Sequence, residues 1–426
     1  MIPETLKNKL RPLQRLWSSR LRRITDKLAS VCSFADTMDL ANEFLHRKDD
    51  SFAKMTIADT ARQDGDEKEK NDTAFVVSTF AMTEWLDDSG LVKECSLVPK
   101  EIASPSTTTE GRDLVDQKIQ SIIESYNEGR PDEEKIKDTR MIEEIERCPE
   151  NSVFVMVDSI VVPYQKKHRN VNGIKGMARE KKRTSIANAY ILSREGSYCF
   201  TAASEEDVLK KVLAYLVHND LLRDRELIFF ADGAKSIKSL VERYFSFREY
   251  AYYIDWYHVH KKCYEYFSMA LKGGKKNKER NSLIRYEFFK RLWAGNIKEA
   301  AEYLATIDES AIKSKPMIEA IRNYIEENKK DDLYCYALRK GLGLVNSSNR
   351  CEKENDTVVG HRCKGNAMSW SDKGALYMAQ IRILFLNGED RHEEGKLNAG
   401  WFSTRQAKYT PCPLSECMKK YMRNAA

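Results

Sequence analysis

The sequence predicts an α/β protein, with a strand-and-helix core, an all-helical insertion within that core and a mostly helical region before it. Three observations carry this prediction. Val153 to Val162 and Glu226 to Ala231 are continuous apolar runs rich in β-branched and aromatic residues, the texture of strands buried on both faces. Helical patterns over 205–217 and 234–245 alternate with these runs. After a last short strand-like run, 251–255, the stretch 257–338 has helical spacing throughout.

From the N-terminus, Leu6, Leu10, Leu13, Trp17, Leu21, Ile24 and Leu28 recur every three or four residues and mark one apolar helix face among many Lys and Arg. Pro12 starts or kinks that helix. Its apolar face either packs on the core or serves DNA contact or self-association. Residues 62–73 (RQDGDEKEKNDT) are polar and acidic and read as a loop, with a helix from Thr73 to Leu86. The stretch 99–112, with Pro99, Pro105 and a cluster of Ser and Thr, reads as a linker. Helices are expected over 113–127 and 135–147, separated by Gly129-Arg130-Pro131. Strands are expected at 153–162, 184–192, 226–231 and 251–255, and two last helices at 349–361 and 372–386. The chain then divides into an N-terminal region, 1–112, for DNA-end binding or oligomerisation, and a helical connector, 113–151. A first core part, 152–264, the insertion, 265–340, a second core part, 341–400, and a tail, 401–426, follow.

Composition narrows the class. Hydrophobic residues are 42% and charged residues 32%, enough for a real core and incompatible with a wholly disordered chain. No apolar run reaches the ~18 residues of a spanning helix, so no membrane role is expected. The N-terminus lacks the compact apolar core of a secretion signal, and ten scattered cysteines suit free thiols in a reducing cytoplasm. Charge is uneven. Residues 1–150 carry 23 Lys and Arg against 31 Asp and Glu, whereas 151–426 carry 48 against 34. The larger, basic part is expected to face a polyanion.

Three carboxylates stand out. Asp158 interrupts an apolar strand, Asp232 ends another before Gly233-Ala234, and Glu352 opens a helix beyond the insertion. Each has an ordinary structural account: a strand end, a turn, and a capping box with Asn349. A carboxylate in a buried strand is nevertheless costly without a partner, a proton or a metal. Three converging carboxylates are the hard-oxygen set that suits Mg²⁺ or Mn²⁺. Asp356, one helical turn after Glu352, is the rival third carboxylate. Asp255 and His258 have the spacing of half a zinc site. Cys351, His361 and Cys363, or Cys412 and Cys417, are conceivable partners, yet no pair of matching spacing stands out. A hydrogen bond between Asp255 and His258 at the base of the insertion is the better expectation.

Four stretches, in order, carry a family resemblance. They are Val157-Asp158-Ser159 with the following Gln165-Lys166-Lys167-His168-Arg169; Asp232-Gly233-Ala234; Asp255-Trp256-Tyr257-His258; and Ser348-Asn349-Arg350-Cys351-Glu352 running on to His361-Arg362-Cys363-Lys364 and Ala367-Met368-Ser369-Trp370-Ser371. With Leu292-Trp293-Ala294-Gly295 inside the insertion, residues 150–390 resemble the DDE transposases of bacterial insertion sequences. The similar groups are ISKra-like and ISLre-like, distantly related to Mutator-type elements. Ala367 stands where that family has glycine.

The resemblance implies an RNase H-like core and a metal-dependent transposase that cleaves DNA at transposon ends and joins it to target DNA. It implies that Asp158, Asp232 and Glu352 hold two Mg²⁺ (or Mn²⁺) ions, with Asp255, His258, Trp293 and Asp356 in support. Lys166, Lys167, Arg169, Lys181, Lys182 and Arg183, in a basic arm between two strands, are candidate phosphate contacts, as are Arg350, Arg362 and Lys364 near the third carboxylate. A homodimer or larger assembly on DNA, in the bacterial cytoplasm at the nucleoid, is expected. The alternatives are an RNase H-like nuclease that only hydrolyses, and a non-catalytic DNA-binding protein of transposase descent.

Overall fold

Ser152 to Pro163 form β1, the middle strand of a five-stranded sheet, because Val153 to Val157 leave no polar face for water. A computed structural model describes residues 19–44, 54–104, 112–137, 152–163, 183–328, 333–364, 370–371 and 373–389. The sheet runs β3-β2-β1-β4-β5. β2 (Arg183–Ser193) and β3 (Gly196–Ala202) form an antiparallel meander on one side of β1. β4 (Glu226–Ala231) and β5 (Ala251–Ile254) lie parallel to β1 on the other. β3 is absent from the sequence reading. Ser193 pairs with Gly196, so the turn is only Arg194-Glu195, which lacks the Asn-Gly or Asp-Gly signal of a tight hairpin.

The N-terminal helices are α1 (Ser19–Ala29), α2 (Phe34–Phe44), α3 (Lys54–Met82) and α4 (Arg112–Asn127). All of the leucine-patterned segment before Ser19, and most of 135–147, lie outside the described residues. The loop expected over 62–73 is instead the middle of α3. Its charges pair along the helix, Lys68 with Asp72 at 3.0 Å and Lys70 with Asp66 at 2.6 Å. Gly65, which argued for a loop, marks a helix crossing: a Cβ there would stand 2.7 Å from the Tyr377 Cα.

α5 (Glu205–His218) covers one face of the sheet, with Val208, Leu209, Val212, Leu213 and Leu216 buried, and α6 (Lys235–Phe245) packs beside it. After β5 the chain is helical: α7 (Trp256–Ala270), α8 (Lys278–Trp293), α9 (Ile297–Ala305), α10 (Lys315–Asn323) and α11 (Tyr336–Leu342). The Tyr336 hydroxyl donates to the Ile254 carbonyl at 2.9 Å and ties the end of this block to β5. α12 (Asn349–Asn355) then packs on β1 and β2, and α13 (Gly374–Leu386) on β3 and α3. The single helix expected over 349–361 is α12 followed by a π-helical turn, Asp356–Lys364. Such a turn accommodates an extra residue and re-aims side chains.

Candidate metal centre

The strand register sets three aspartates side by side. β1 meets β4 with Ser152 opposite Glu226 and Met156 opposite Phe230. Continuing that register two residues brings Asp158 level with Asp232. β4 meets β5 with Ala231 opposite Ile254, so the next residues, Asp232 and Asp255, are level as well. On the other side Asp158 is paired with Asn188 of β2. A row Asn188, Asp158, Asp232, Asp255 thus crosses the sheet, with Asp158 midway along β1 and Asp232 and Asp255 just past the ends of β4 and β5.

Each member is held locally. Asp232 accepts the Ala234 N–H at 2.7 Å, and Gly233 turns the chain at φ +80, where a Cβ would meet Ile254 at 2.9 Å. Asp255 is fully buried and caps α7: its carboxylate accepts the His258 N–H at 3.1 Å and His258 Nδ1–H at 2.5 Å. The Ser348 hydroxyl, from just before α12, donates to the same carboxylate at 2.8 Å. Ser348, not Asn349, is therefore the N-cap, and its hydroxyl serves Asp255 rather than its own helix. Asp158 accepts the Ser159 N–H at 2.7 Å and the Asn355 side-chain amide at 2.6 Å, and Asn188 in turn donates to Asn355 at 2.5 Å.

α12 completes the group. Glu352 Oε1 lies 3.8 Å from His258 Nδ1, and Asp255, His258 and Glu352 offer ligand atoms within 4.8 Å of one another. Glu352 Oε1 is buried and has no hydrogen-bond partner among the described residues. A buried carboxylate oxygen without a donor is a costly arrangement that a cation would relieve.

The groups sense one another electrostatically. Burial pushes the Asp158 carboxyl up and the Asp232 charge adds to it, against the Ser159 N–H, His258 and Asn355; the net direction is up. Burial likewise pushes Glu352 up, helped by Asp255 and Asp158 and opposed by His258 and Lys261. For His258, burial alone would lower the pKa, but the hydrogen bond and charge of Asp255, with Asp158 and Asp232 behind it, hold it above its ordinary value. The cluster carries excess negative charge and raises the affinity of its own members for protons.

Residues 120–398 match the model of an uncharacterised protein family, UPF0236. The chain belongs to that family. No curated protein matches it. The matched span of UPF0236 takes in every member of the cluster, from Asp158 to Glu352.

The sequence candidates divide accordingly. Asp255, His258 and Glu352 come together within 4.8 Å, and Asp158 and Asp232 stand level with Asp255 in the sheet beside them. Asp356 is exposed, and the residue of that turn that reaches Asp158 is its neighbour Asn355. Arg362 is corrected from phosphate contact to packing: it is 4% exposed, donates to the Ala29 carbonyl at 2.8 Å and lies between Phe34 and Trp370, 4.8 and 4.9 Å from their ring centres. Lys364 is exposed. Lys166, Lys167, Arg169, Lys181 and Lys182 lie outside the described residues, as do the side chains of Arg183 and Arg350. Trp293 is half-buried and meets Trp256 edge-on at 4.9 Å. Asn188, Asn355 and the cap role of Ser348 were missed. Their signal is one of register and helix phase, which residue spacing does not carry.

The donor set could hold a metal ion. Hard carboxylate oxygens dominate it, and Glu352 has an oxygen to spare. Asp255, saturated by His258 and Ser348, is better suited to orienting than to binding. With Nδ1 donated to a carboxylate, His258 keeps Nε2 as its ligand atom, the arrangement of a metal-binding imidazole backed by a carboxylate.

Proposed function

We propose that the chain is a metal-dependent phosphoryl-transfer enzyme acting on DNA, a transposase of the DDE type. The carrying observation is the level row of Asp158 within β1 and Asp232 and Asp255 at the ends of β4 and β5, beside Glu352, whose buried oxygen accepts no hydrogen bond among the described residues. An antiparallel meander followed by two parallel strands, with a helical block between the second and third carboxylates, supports the RNase H-like core that the sequence resemblance implies.

Asp158, Asp232 and Glu352 are the groups that would hold Mg²⁺ or Mn²⁺, which when bound supplies a low-pKa water and stabilises the attacking and leaving oxygens of a phosphodiester. Asn355 and the Ser159 N–H fix the Asp158 carboxylate, so its oxygens are oriented before substrate arrives. Asp255 retains the Nδ1 proton of His258 and fixes the ring. The protein uses no side chain as a covalent nucleophile in this reading. A terminal 3′-hydroxyl and water can therefore serve alike as attacking group.

The test is cleavage and joining. Supercoiled plasmid carrying the DNA that borders the gene is incubated with the purified chain and Mg²⁺ or Mn²⁺, and precut ends are offered with a target plasmid. Metal-dependent cuts at the borders and joined products are expected. Cutting without joining of precut ends makes the protein a nuclease, and no metal-dependent cutting overturns the reading.

A further inference from the structure

A second site lies beside the first, where α8 faces α4 and α11. The cleft there has a volume of about 660 Å³. Its aromatic side comes from Tyr286, Phe289 and Trp293 on successive turns of α8. Tyr286 is 58% exposed, although water-facing positions of a helix have no need of a large ring. Trp293 is braced from behind by Tyr336, nearly parallel at 15° and 6.0 Å between centres, which makes it a preset platform.

Cations stand over these rings. Lys340 is 5.8 Å from the Trp293 centre, Lys290 is 5.7 Å from that of Tyr286, and Arg130 joins them in the lining. Glu134 is the one carboxylate of the lining, and it is taken by Arg130 at 3.4 Å and Lys290 at 3.2 Å. Lys340 is exposed and makes no ion pair among the described residues. A purely apolar guest would strip water from these charges without repaying them. A guest with a flat ring and an anion would satisfy both sides.

The alternation continues toward the carboxylates. On the outer face of α7, Lys261 lies 5.7 Å from the ring centre of exposed Tyr257, and Arg285 lies 4.6 Å from that of exposed Tyr264. Trp256, edge-on to Trp293, directly follows Asp255 in the chain. Trp256 thus links the Trp293 platform of the cleft to Asp255, its neighbour in the chain.

We propose that the cleft receives an unpaired nucleotide of a DNA strand, its base against the Tyr286–Phe289–Trp293 face and its phosphate on Lys340 and Arg130. This rests on DNA being the substrate of the neighbouring centre. A duplex keeps its bases stacked and cannot offer a flat face sideways, so the cleft discriminates strand separation, not sequence.

Anisotropy of a labelled oligo-dT strand and of a duplex of equal length tests this with Tyr286→Ala and Lys340→Ala, whose side chains are exposed and whose melting temperatures report intact folding. Tyr286→Ala is expected to weaken single-strand binding about tenfold, and the duplex less. Lys340→Ala is expected to flatten the salt slope on the single strand by about 0.7. Unchanged single-strand affinity in both variants overturns the proposal, and so does an equal loss on duplex, which marks a general phosphate patch. Thymidine monophosphate competing as well as the oligonucleotide also overturns it, in favour of a free-nucleotide pocket. Loss of single-strand binding in a protein that cuts no DNA sinks the transposase reading and leaves the cleft assignment standing.

Discussion

Two charge clusters pack against this sheet, and only one of them contains lysines that offset its acids. Between α3, α5 and α13, Lys68 pairs with Asp72 and Glu389 at 3.0 Å each, and Lys211 pairs with Glu69 at 2.8 Å and Asp72 at 3.2 Å. Lys211 also donates to the Thr201 carbonyl at 3.0 Å, and the Tyr198 hydroxyl to Glu389 at 2.5 Å. Burial works against every charge there. The two lysines nevertheless hold Asp72 below its ordinary range, and the acids hold Lys68 above its own. Glu389, which burial and Asp72 push up against the pull of Lys68, is the acid that takes a proton first. Across the sheet, four carboxylates share one histidine, and Asp158 and Glu352 both shift toward protonation. A cluster that supplies its own counter-ions fastens helices together. A cluster that does not could hold a cation from outside.

The largest expected effects come from deepening or removing that imbalance. Asp232→Asn keeps the shape and removes one charge, so metal-dependent plasmid cleavage is expected to fall on the order of a thousandfold, the several kcal/mol that a bound ion contributes to transition-state stabilisation. Cleavage within tenfold of the parent would dismiss Asp232 from the site. In the lysine-containing cluster, Lys211→Met leaves Asp72 with Lys68 alone and Glu69 without its ion-pair partner, and is expected to cost about 3 kcal/mol in urea unfolding. A loss under about 1 kcal/mol would mean that water already screens the cluster.

Asp255→Asn separates the two roles of one residue. Asparagine caps a helix as well as aspartate does, so α7 is expected to persist. The charge behind His258 is lost, so divalent-ion affinity by calorimetry is expected to drop 10- to 100-fold. The His258 pKa, followed by NMR, is expected to fall from its raised position. An unchanged affinity would leave Asp255 as a cap and nothing more.

The smallest effect is one of pH. Asp72 has a lowered pKa, so its contribution to stability is complete above the unfolded value near 3.8 and is lost as pH falls through the folded one. Asp72→Asn is expected to flatten this acid limb of stability, measured by urea midpoints below about pH 4. An acid limb of unchanged steepness would assign it to other carboxylates.

Strands whose residues are apolar on both faces were legible from sequence, and so were the helices that cover them. Asp158 stood out because a charge inside an apolar strand is costly without a partner, and Asp232 because it closes another such strand, but that the two stand level is a matter of register. α3 was not, since Gly65 and a run of charges mimic a loop until the crossing at Tyr377 and the partner Lys211 are known. Asn355 was not, because the π-helical turn begins immediately after it and a regular helical phase points attention to Asp356. Arg362 looked like a surface cation because nothing in its neighbourhood announces that Phe34 and Trp370 enclose it.

The contacts that close the candidate site span the chain: Ser348 reaches back 93 residues to Asp255, and Asn355 reaches back 197 to Asp158. On the ribosome, the three aspartates therefore emerge long before the helix that brings Glu352 to them. A polypeptide halted anywhere in the helical block lacks Glu352 and the Asn355 brace for Asp158. Interrupted synthesis is thus expected to yield inert fragments. Whatever chemistry this centre performs is withheld until more than four-fifths of the 426 residues have been made.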